Sequence, residues 1–413
     1  MEFSKEIIEL VNKCQEKAKE QFKYVEDIAL YNQNKVLTAF QNNRIATRHF
    51  ANTTGYGYDD IGRDTLSKLL AEIFVAEDAI LSPNIVSGTH ALTLMLFGVL
   101  RPKDNFAYIT GTPYDTLREV IYGENIGSLK DFGVNFEAVE LLDGEFDKVK
   151  IKELLTSKKM KMLVIQRSRG YEWRDALSIN KIKDIIEYIK GIDKDVIVAI
   201  DNCYGEFVEK QEPTEVGADL LAGSMIKNLG GGIAPTGGYI VGRKDLIEQV
   251  SYRLTAPSIG SEVGSYNASY QPFYQGIFLA PTVVSSAIKT SILFGYVFNE
   301  LGYKTSPSLD SRCYDIIRSI EFNTAEELIK FIQSVQYASP IDSYVTPMPW
   351  AMPGYQDEVI MAAGTFVSGA SIELSADSPI RAPYIAYLQG GLTYEHGKLA
   401  VMTCADEILK TRK

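Results

Sequence analysis

Short apolar runs alternate with amphipathic helical stretches through the middle of this chain, and no other feature restricts its fold as strongly. Residues 106–110, 162–165, 196–200 and 239–241 are rich in valine and isoleucine and too short for buried helices. Helical spacing returns between them, as at 179–190. Apolar strands of this kind are buried on both faces, so the alternation predicts an α/β fold in which helices cover a largely parallel sheet.

The flanking regions read differently. Residues 5–19 place Ile7, Leu10, Val11, Cys14 and Ala18 on one helical face, as an entry arm would. From 42 to 63 glycine and tyrosine predominate, which suits a loop, and helical periodicity resumes over 64–76. Beyond the alternating region a long helix is expected over 282–300. A helix opening at Thr324, with Glu327 three residues on, fits a capping box. Strands at 360–366 and 371–374 and a last helix from about 392 complete a smaller α+β unit.

Composition narrows the chemistry. The net charge of −11 has the wrong sign for a phosphate-backbone binder, so nucleic acid is not an expected partner. Four cysteines and three histidines are dispersed, with neither disulfide-framework nor metal-site spacing. The longest strongly apolar run, 91–100, is about half a membrane span, so no membrane association is expected. A reducing, cytoplasmic setting is the expectation. Chemistry must then rest on lysine, carboxylate, tyrosine or a bound organic cofactor.

In open α/β sheets ligands bind beyond the carboxyl ends of the strands, and five such places carry candidate residues. Ser87-Gly88-Thr89 is a small-residue turn opening a helix, either an ordinary N-cap or an anion site. Tyr114 follows the first strand, either as core filler or as a ring stacked on a flat heterocycle. Gln166, Arg167 and Arg169 follow the second, as solvated side chains or as partners for anionic groups. Asp201 ends the third, where burial of a carboxylate is costly without a positive partner. Lys227 lies three residues after Ser224 and just before a glycine run, flanked by Met225 and Ile226. Buried there, its amine is expected to fall from about 10.4 to about 7–8 and to become a nucleophile able to form a Schiff base. A helix start for a phosphate, a carboxylate for a pyridine nitrogen and a lysine for an aldehyde together make up what pyridoxal phosphate requires.

Over nearly its whole length the chain resembles the fold-type-I pyridoxal-phosphate enzymes of Cys/Met metabolism. The likeness is closest to the methionine gamma-lyase-like, cystathionine beta-lyase-like and aluminium-resistance proteins. It is carried by 54–60, 87–91, 111–116, 166–171, 201–206 and 224–228. The resemblance implies a mostly parallel, seven-stranded-type sheet and a small C-terminal domain. It casts Lys227 as the Schiff-base lysine and Asp201 as the partner of the pyridine nitrogen. Ser87, Gly88, Thr89 and Ser224 would hold the phosphate and Tyr114 would stack on the ring. The family forms its site at the interface of a homodimer or homotetramer, with a partner tyrosine, here Tyr56 or Tyr58, reaching the phosphate. Arg381, Arg169 and Gln166 are the implied substrate contacts, in a locally positive pocket. The better-known lyases carry Tyr-x-Arg and Asp-Asn-Thr where this chain has Tyr58-Asp59-Asp60 and Asp201-Asn202-Cys203; Arg63 or Arg169 takes the place of the missing arginine.

The expected organisation is a helical arm over 1–50, a cofactor domain over 51–290 and a small α+β domain over 291–413. The expected activity is carbon–sulfur bond cleavage in a sulfur amino acid. The same scaffold also serves aminotransferases and other elimination or replacement enzymes. A catalytically silent stress protein is a further alternative. A nucleotide-binding protein fits less well, since Gly55, Gly57 and Gly62 do not make a dinucleotide fingerprint.

Overall fold

The computed structural model describes residues 2–352 and 357–412, apart from the side chain of Asp115. Two helices, α1 (Lys5–Lys17) and α2 (Lys19–Asn42), precede the sheet, the second lying beyond the amphipathic stretch at 5–19. Helix α3 (Ile61–Ile73) begins earlier than expected because Asp60 caps it, accepting from the Arg63 amide at 3.0 Å. Then follow β1 (Asp78–Ser82), α4 (Gly88–Val99), β2 (Asn105–Tyr108), α5 (Asp115–Tyr122) and β3 (Asn135–Ala138). A small hairpin, β4 (Leu141–Leu142) and β5 (Glu145–Phe146), leads to α6 (Lys148–Ser157), β6 (Met162–Gln166), α7 (Ile179–Ile192) and β7 (Ile197–Asp201). The unit closes with β8 (Leu220–Ser224), β9 (Gly238–Gly242) and α8 (Lys244–Leu254).

These strands form one seven-stranded sheet in the order β1-β9-β8-β7-β6-β2-β3. Strand β9 runs antiparallel to both neighbours, and the pairs from β8 to β3 are parallel. Alternation along the strands divides the core. Leu163, Ile165, Val198 and Ile200 face the layer that contains α7, whereas Met162, Val164, Ile197 and Ala199 face α4 and α8. Asp201 continues the second set by two residues, which turns its carboxylate toward the α4 layer at the carboxyl edge of the sheet.

Helix α9 (Gln271–Glu300) starts well before the 282 read from sequence and runs through Pro281. It is long and apolar enough to cross a membrane, and isolated polar residues keep it from being a single apolar run like 91–100. Here it is largely buried, packed against α2 and α11 (Tyr394–Thr411). A second, antiparallel sheet, ordered β10-β11-β14-β13-β12, is formed by β10 (Lys304–Ser306), β11 (Ile317–Phe322), β12 (Val359–Ala362), β13 (Ser375–Pro379) and β14 (Tyr384–Gln389), with α10 (Ala325–Ala338) packed against it. At the head of α10, Thr324 accepts from the Glu327 amide at 3.2 Å, while the Glu327 carboxylate reaches Asn323, one residue short of a reciprocal box.

The strands expected at 360–366 and 371–374 need correction. Pairing in β12 stops at Ala362, after which the Ala363 amide donates to Gln336 Oε1 at 3.0 Å. Residues 371–374 are not a strand: the Glu373 carboxylate accepts from the Phe366 and Val367 amides at 2.9 Å each and winds that segment into a loop. Side-chain bonds to the backbone here displace the ladder that hydrophobicity alone suggests.

Candidate active site

Parallel strands bring the loops after β1, β2, β6, β7 and β8 to one edge of the large sheet, and the five sequence positions meet there. A cavity of about 510 Å³ opens between that edge and one face of the small sheet. Lys227, Asp201, Tyr114, Gln166, Arg169 and Arg381 all line it. Ile317, Asp377, Pro379, Tyr387 and Gln389 close it from the small sheet. Register explains that set: Ile317 and Gln389 are paired, as are Asp377 and Tyr387, so period-two alternation turns all of them to one side.

Lys227 follows β8 in a turn that is fixed by small residues. A Cβ on Gly230 would lie 1.8 Å from the Met225 carbonyl oxygen, so no side chain fits there. Met225 is buried in the core, whereas the Lys227 amine emerges into the cavity over the Tyr204 ring, 4.2 Å from its centroid. Burial works against the ammonium, but Cys203, Tyr204, Asp201 and Tyr114 more than offset it, and the amine is held well above the ordinary lysine range. The lowered amine read from sequence is therefore corrected. Of its apolar neighbours Met225 faces the core, and the polar groups that surround the amine come from distant segments.

Asp201 is nearly buried, and its Oδ1 accepts from the Cys203 amide at 3.1 Å. Burial raises its pKa while the Lys227 ammonium opposes the rise. Tyr114 is also raised by burial, to about 12, and stays a phenol at neutral pH. Its hydroxyl is 2.9 Å from Thr89 Oγ1, which ties the stacking candidate to the first turn of α4. Ser87 caps that helix by accepting from the His90 amide at 3.0 Å. A Cβ on Gly88 would lie 3.2 Å from Ser224 Cβ and 3.5 Å from Cys203 Sγ. The α4 turn, the end of β8 and the turn after β7 thus converge closely at Gly88, where a side chain would make its neighbours give by a few tenths of an ångström. Ser224 is buried there, its Oγ accepting from the Ile226 amide at 3.3 Å. Gln166 is directly opposite Asp201 in register and donates from Nε2 to the Ser168 carbonyl at 3.2 Å.

The expected positive pocket is charge-balanced instead. Arg169 is fully buried, pairs with Asp315 at 3.3 Å and donates to Ser306 at 2.9 Å, while its Nη2 has no hydrogen-bond partner among the described residues. Arg381 follows β13 rather than the segment 371–374 and is paired with Asp357 at 3.0 Å. Arg63 lies elsewhere, donating to the Gly57 carbonyl at 3.0 Å beside a second cavity, so it does not take the missing arginine's place within this subunit. Tyr56 and Tyr58 point outward, 71% and 63% exposed, with ring centroids 5.5 Å apart, and neither lines the Lys227 cavity.

Several lining residues had no role in the sequence reading. Tyr204 was visible only as part of a motif, because its place under Lys227 depends on a backbone φ of +71°, in the left-handed region that a non-glycine residue seldom adopts. Asp377, Tyr171 and Tyr387 come from the small sheet and the loop after β6, and only strand alternation with a correct β13 register would have found Asp377.

A family model described as methionine gamma-lyase matches residues 7–409. The uncharacterized protein YnbB of Bacillus subtilis (strain 168) is 50% identical over 392 residues, spanning 94% of this chain and 93% of that protein. The crystal structure of a carbon-sulfur lyase involved in aluminum resistance from Clostridium novyi NT superposes with a TM-score of 0.95 at 48% identity, covering 98% of this chain and 96% of that one. At 14% identity, the pyridoxal-5'-phosphate dependent protein YhfS from Escherichia coli shares the fold, with a TM-score of 0.64 over 94% of this chain and 97% of its own.

Proposed function

The chain belongs to the methionine gamma-lyase family, and from that premise we propose that it is a pyridoxal-phosphate-dependent carbon–sulfur lyase acting on a sulfur-containing amino acid. The observation that carries this reading is the meeting of Lys227, Asp201 and Tyr114 on one cavity, beside a glycine-permitted convergence of the α4 turn with Ser224. That donor set fits the cofactor: an amine for its aldehyde, a buried carboxylate for its ring nitrogen, and a helix start with hydroxyls for its phosphate. When bound, pyridoxal phosphate supplies an electron sink for charge developing at the substrate Cα.

The chain's own residues would then do the following. Asp201 holds a positive charge at the far end of the ring, its carboxylate favoured in the ionised form once a cation faces it. Ser87, Gly88, Thr89 and Ser224 hold the phosphate. Lys227 Nζ, as the neutral amine left when the substrate's own amine displaces it from the cofactor's aldehyde carbon, would remove the substrate Cα proton as general base. Tyr114, a phenol at neutral pH, delivers a proton to the departing sulfur. Arg169, through its unpartnered Nη2, and Arg381 hold the substrate carboxylate, with Gln166 beside them. The C–S bond breaks, and uptake of water leaves a thiol, ammonia and a 2-keto acid.

The same reading includes a homodimeric assembly, which is supported by Tyr56 and Tyr58 standing exposed and away from their own subunit's cavity. They would reach the phosphate of a partner. Four free cysteines suit a reducing, cytoplasmic setting. The cofactor assignment is tested by adding pyridoxal phosphate to the purified protein and reducing with borohydride. The label is expected on the peptide that contains Lys227, with Lys227→Ala unlabelled. Labelling elsewhere, or none, would remove the basis of the proposal.

A further inference from the structure

Asp377 lies on the cavity wall opposite the cofactor-binding edge, on β13, and none of the roles above uses it. Its Oδ2 accepts from the Tyr171 hydroxyl, and Tyr171 is fixed in turn against Tyr387, with ring centroids 5.1 Å apart. Its Oδ1 is buried and has no hydrogen-bond partner among the described residues. Other carboxylates on this cavity have a cation of their own: Asp357 pairs with Arg381 at 3.0 Å, and Glu172 with Arg174 at 2.7 Å. Asp201 and Asp377 both draw on Lys227. Burial pushes the Asp377 carboxyl up to about 6, against the pull of Tyr171 and Lys227, so it is largely ionised at neutral pH. A buried carboxylate oxygen without a donor is costly, and a ligand that supplies one gains what the empty site lacks.

We propose that Asp377, held by Tyr171, is a specificity-determining residue of this cavity and selects sulfur amino acids whose side chain carries an ammonium beyond the sulfur. A plain alkyl thioether leaves Oδ1 unpaired, whereas an ammonium satisfies it with a charge-assisted hydrogen bond. The inference rests on the lyase reading of the site and adds the side-chain class that the site prefers.

A matched pair tests it. S-(2-aminoethyl)-L-cysteine and S-propyl-L-cysteine differ by an ammonium in place of a methyl group, and their homocysteine homologues provide the same comparison for γ-cleavage. The holoenzyme is expected to favour the aminoethyl compound by about tenfold or more in kcat/KM, the scale of one buried charge-assisted hydrogen bond. Asp377→Asn, which keeps the shape and the Tyr171 contact, is expected to abolish that preference through KM while turning over the propyl compound as wild type does. No preference in the wild type overturns the inference without any variant. An unchanged preference in Asp377→Asn, or an equal loss on both compounds, also overturns it, the latter in favour of a structural or proton-handling role. If neither compound is cleaved, the lyase reading fails on its own. The preference is then read as relative binding, from the change each amino acid produces in the cofactor's visible absorbance.

Discussion

Glu206 has no accessible surface. Its Oε1 accepts from the Tyr239 hydroxyl at 2.7 Å, and its Oε2 has no hydrogen-bond partner among the described residues. Burial pushes its pKa up to about 8 although the Tyr239 contact pulls the other way. A carboxyl that is harder to ionise folded than unfolded binds extra protons in the native state. The stability it contributes is complete below the unfolded value near 4.5 and is lost as pH rises through about 8. Glu206→Gln removes that liability without changing the shape. It is expected to stabilise the protein by on the order of a few kcal/mol at about pH 9 and to have little effect at about pH 5. Thermal melts at the two pH values check this, and an equal shift at both would contradict it. The same loop shows what a residue scale adds to sequence. Tyr204 and Phe207 both have positive φ, and the strain is held by Asn32, which donates to the Phe207 carbonyl at 3.1 Å, and by Glu212, which accepts from its amide at 2.9 Å. Nothing in the local sequence around Tyr204 marks those distant partners.

At the scale of elements, the parallel sheet was legible because buried strands carry their own signature. Strands β6, β7 and β9 fall within a residue or two of the runs at 162–165, 196–200 and 239–241. Lys227, Asp201 and Tyr114 were legible for a related reason: strand ends in such sheets converge, so polar residues there are candidates even without a contact map. The small sheet was harder. Strand β11 carries the buried polar residues Arg318 and Ser319, and β14 the polar residue Gln389, which interrupt an apolar pattern. In β11 the interruption has a cause that only packing reveals, since Arg318 donates to the Ser291 carbonyl of α9 at 3.0 Å. Arg167 shows the same limit. Read from sequence as one of two arginines placed to pair with anions, it is fully buried and anchors the turn after β7, donating to Asn202 Oδ1 at 3.0 Å, the Gly205 carbonyl at 2.9 Å and Glu209 at 2.9 Å. Its charge supports the loop that carries Tyr204, and Arg169, two residues on, is the one that reaches the cavity.

At the scale of the whole molecule, the cavity is built from both sheets, with Lys227, Asp201 and Tyr114 at the edge of the large one and Asp377 and Arg381 from the small one. The proposed dimer would share its site between subunits through the outward Tyr56 and Tyr58. Mixing Lys227→Ala with the double variant Tyr56→Phe, Tyr58→Phe under subunit exchange is expected to restore about a quarter of wild-type activity, because half of the random dimers contain one intact site. Two impaired variants that stay additive after exchange would place each site within one subunit. Carbon–sulfur cleavage at the Lys227 cavity is decided by product analysis. Cystathionine, cysteine, methionine and homocysteine are each incubated with the pyridoxal-phosphate-loaded protein, and ammonia, thiol or sulfide, and 2-keto acid are measured together. Equimolar release of all three is expected from at least one of these amino acids, and none with Lys227→Ala. Keto acid without ammonia, dependent on an added keto-acid acceptor, would contradict it.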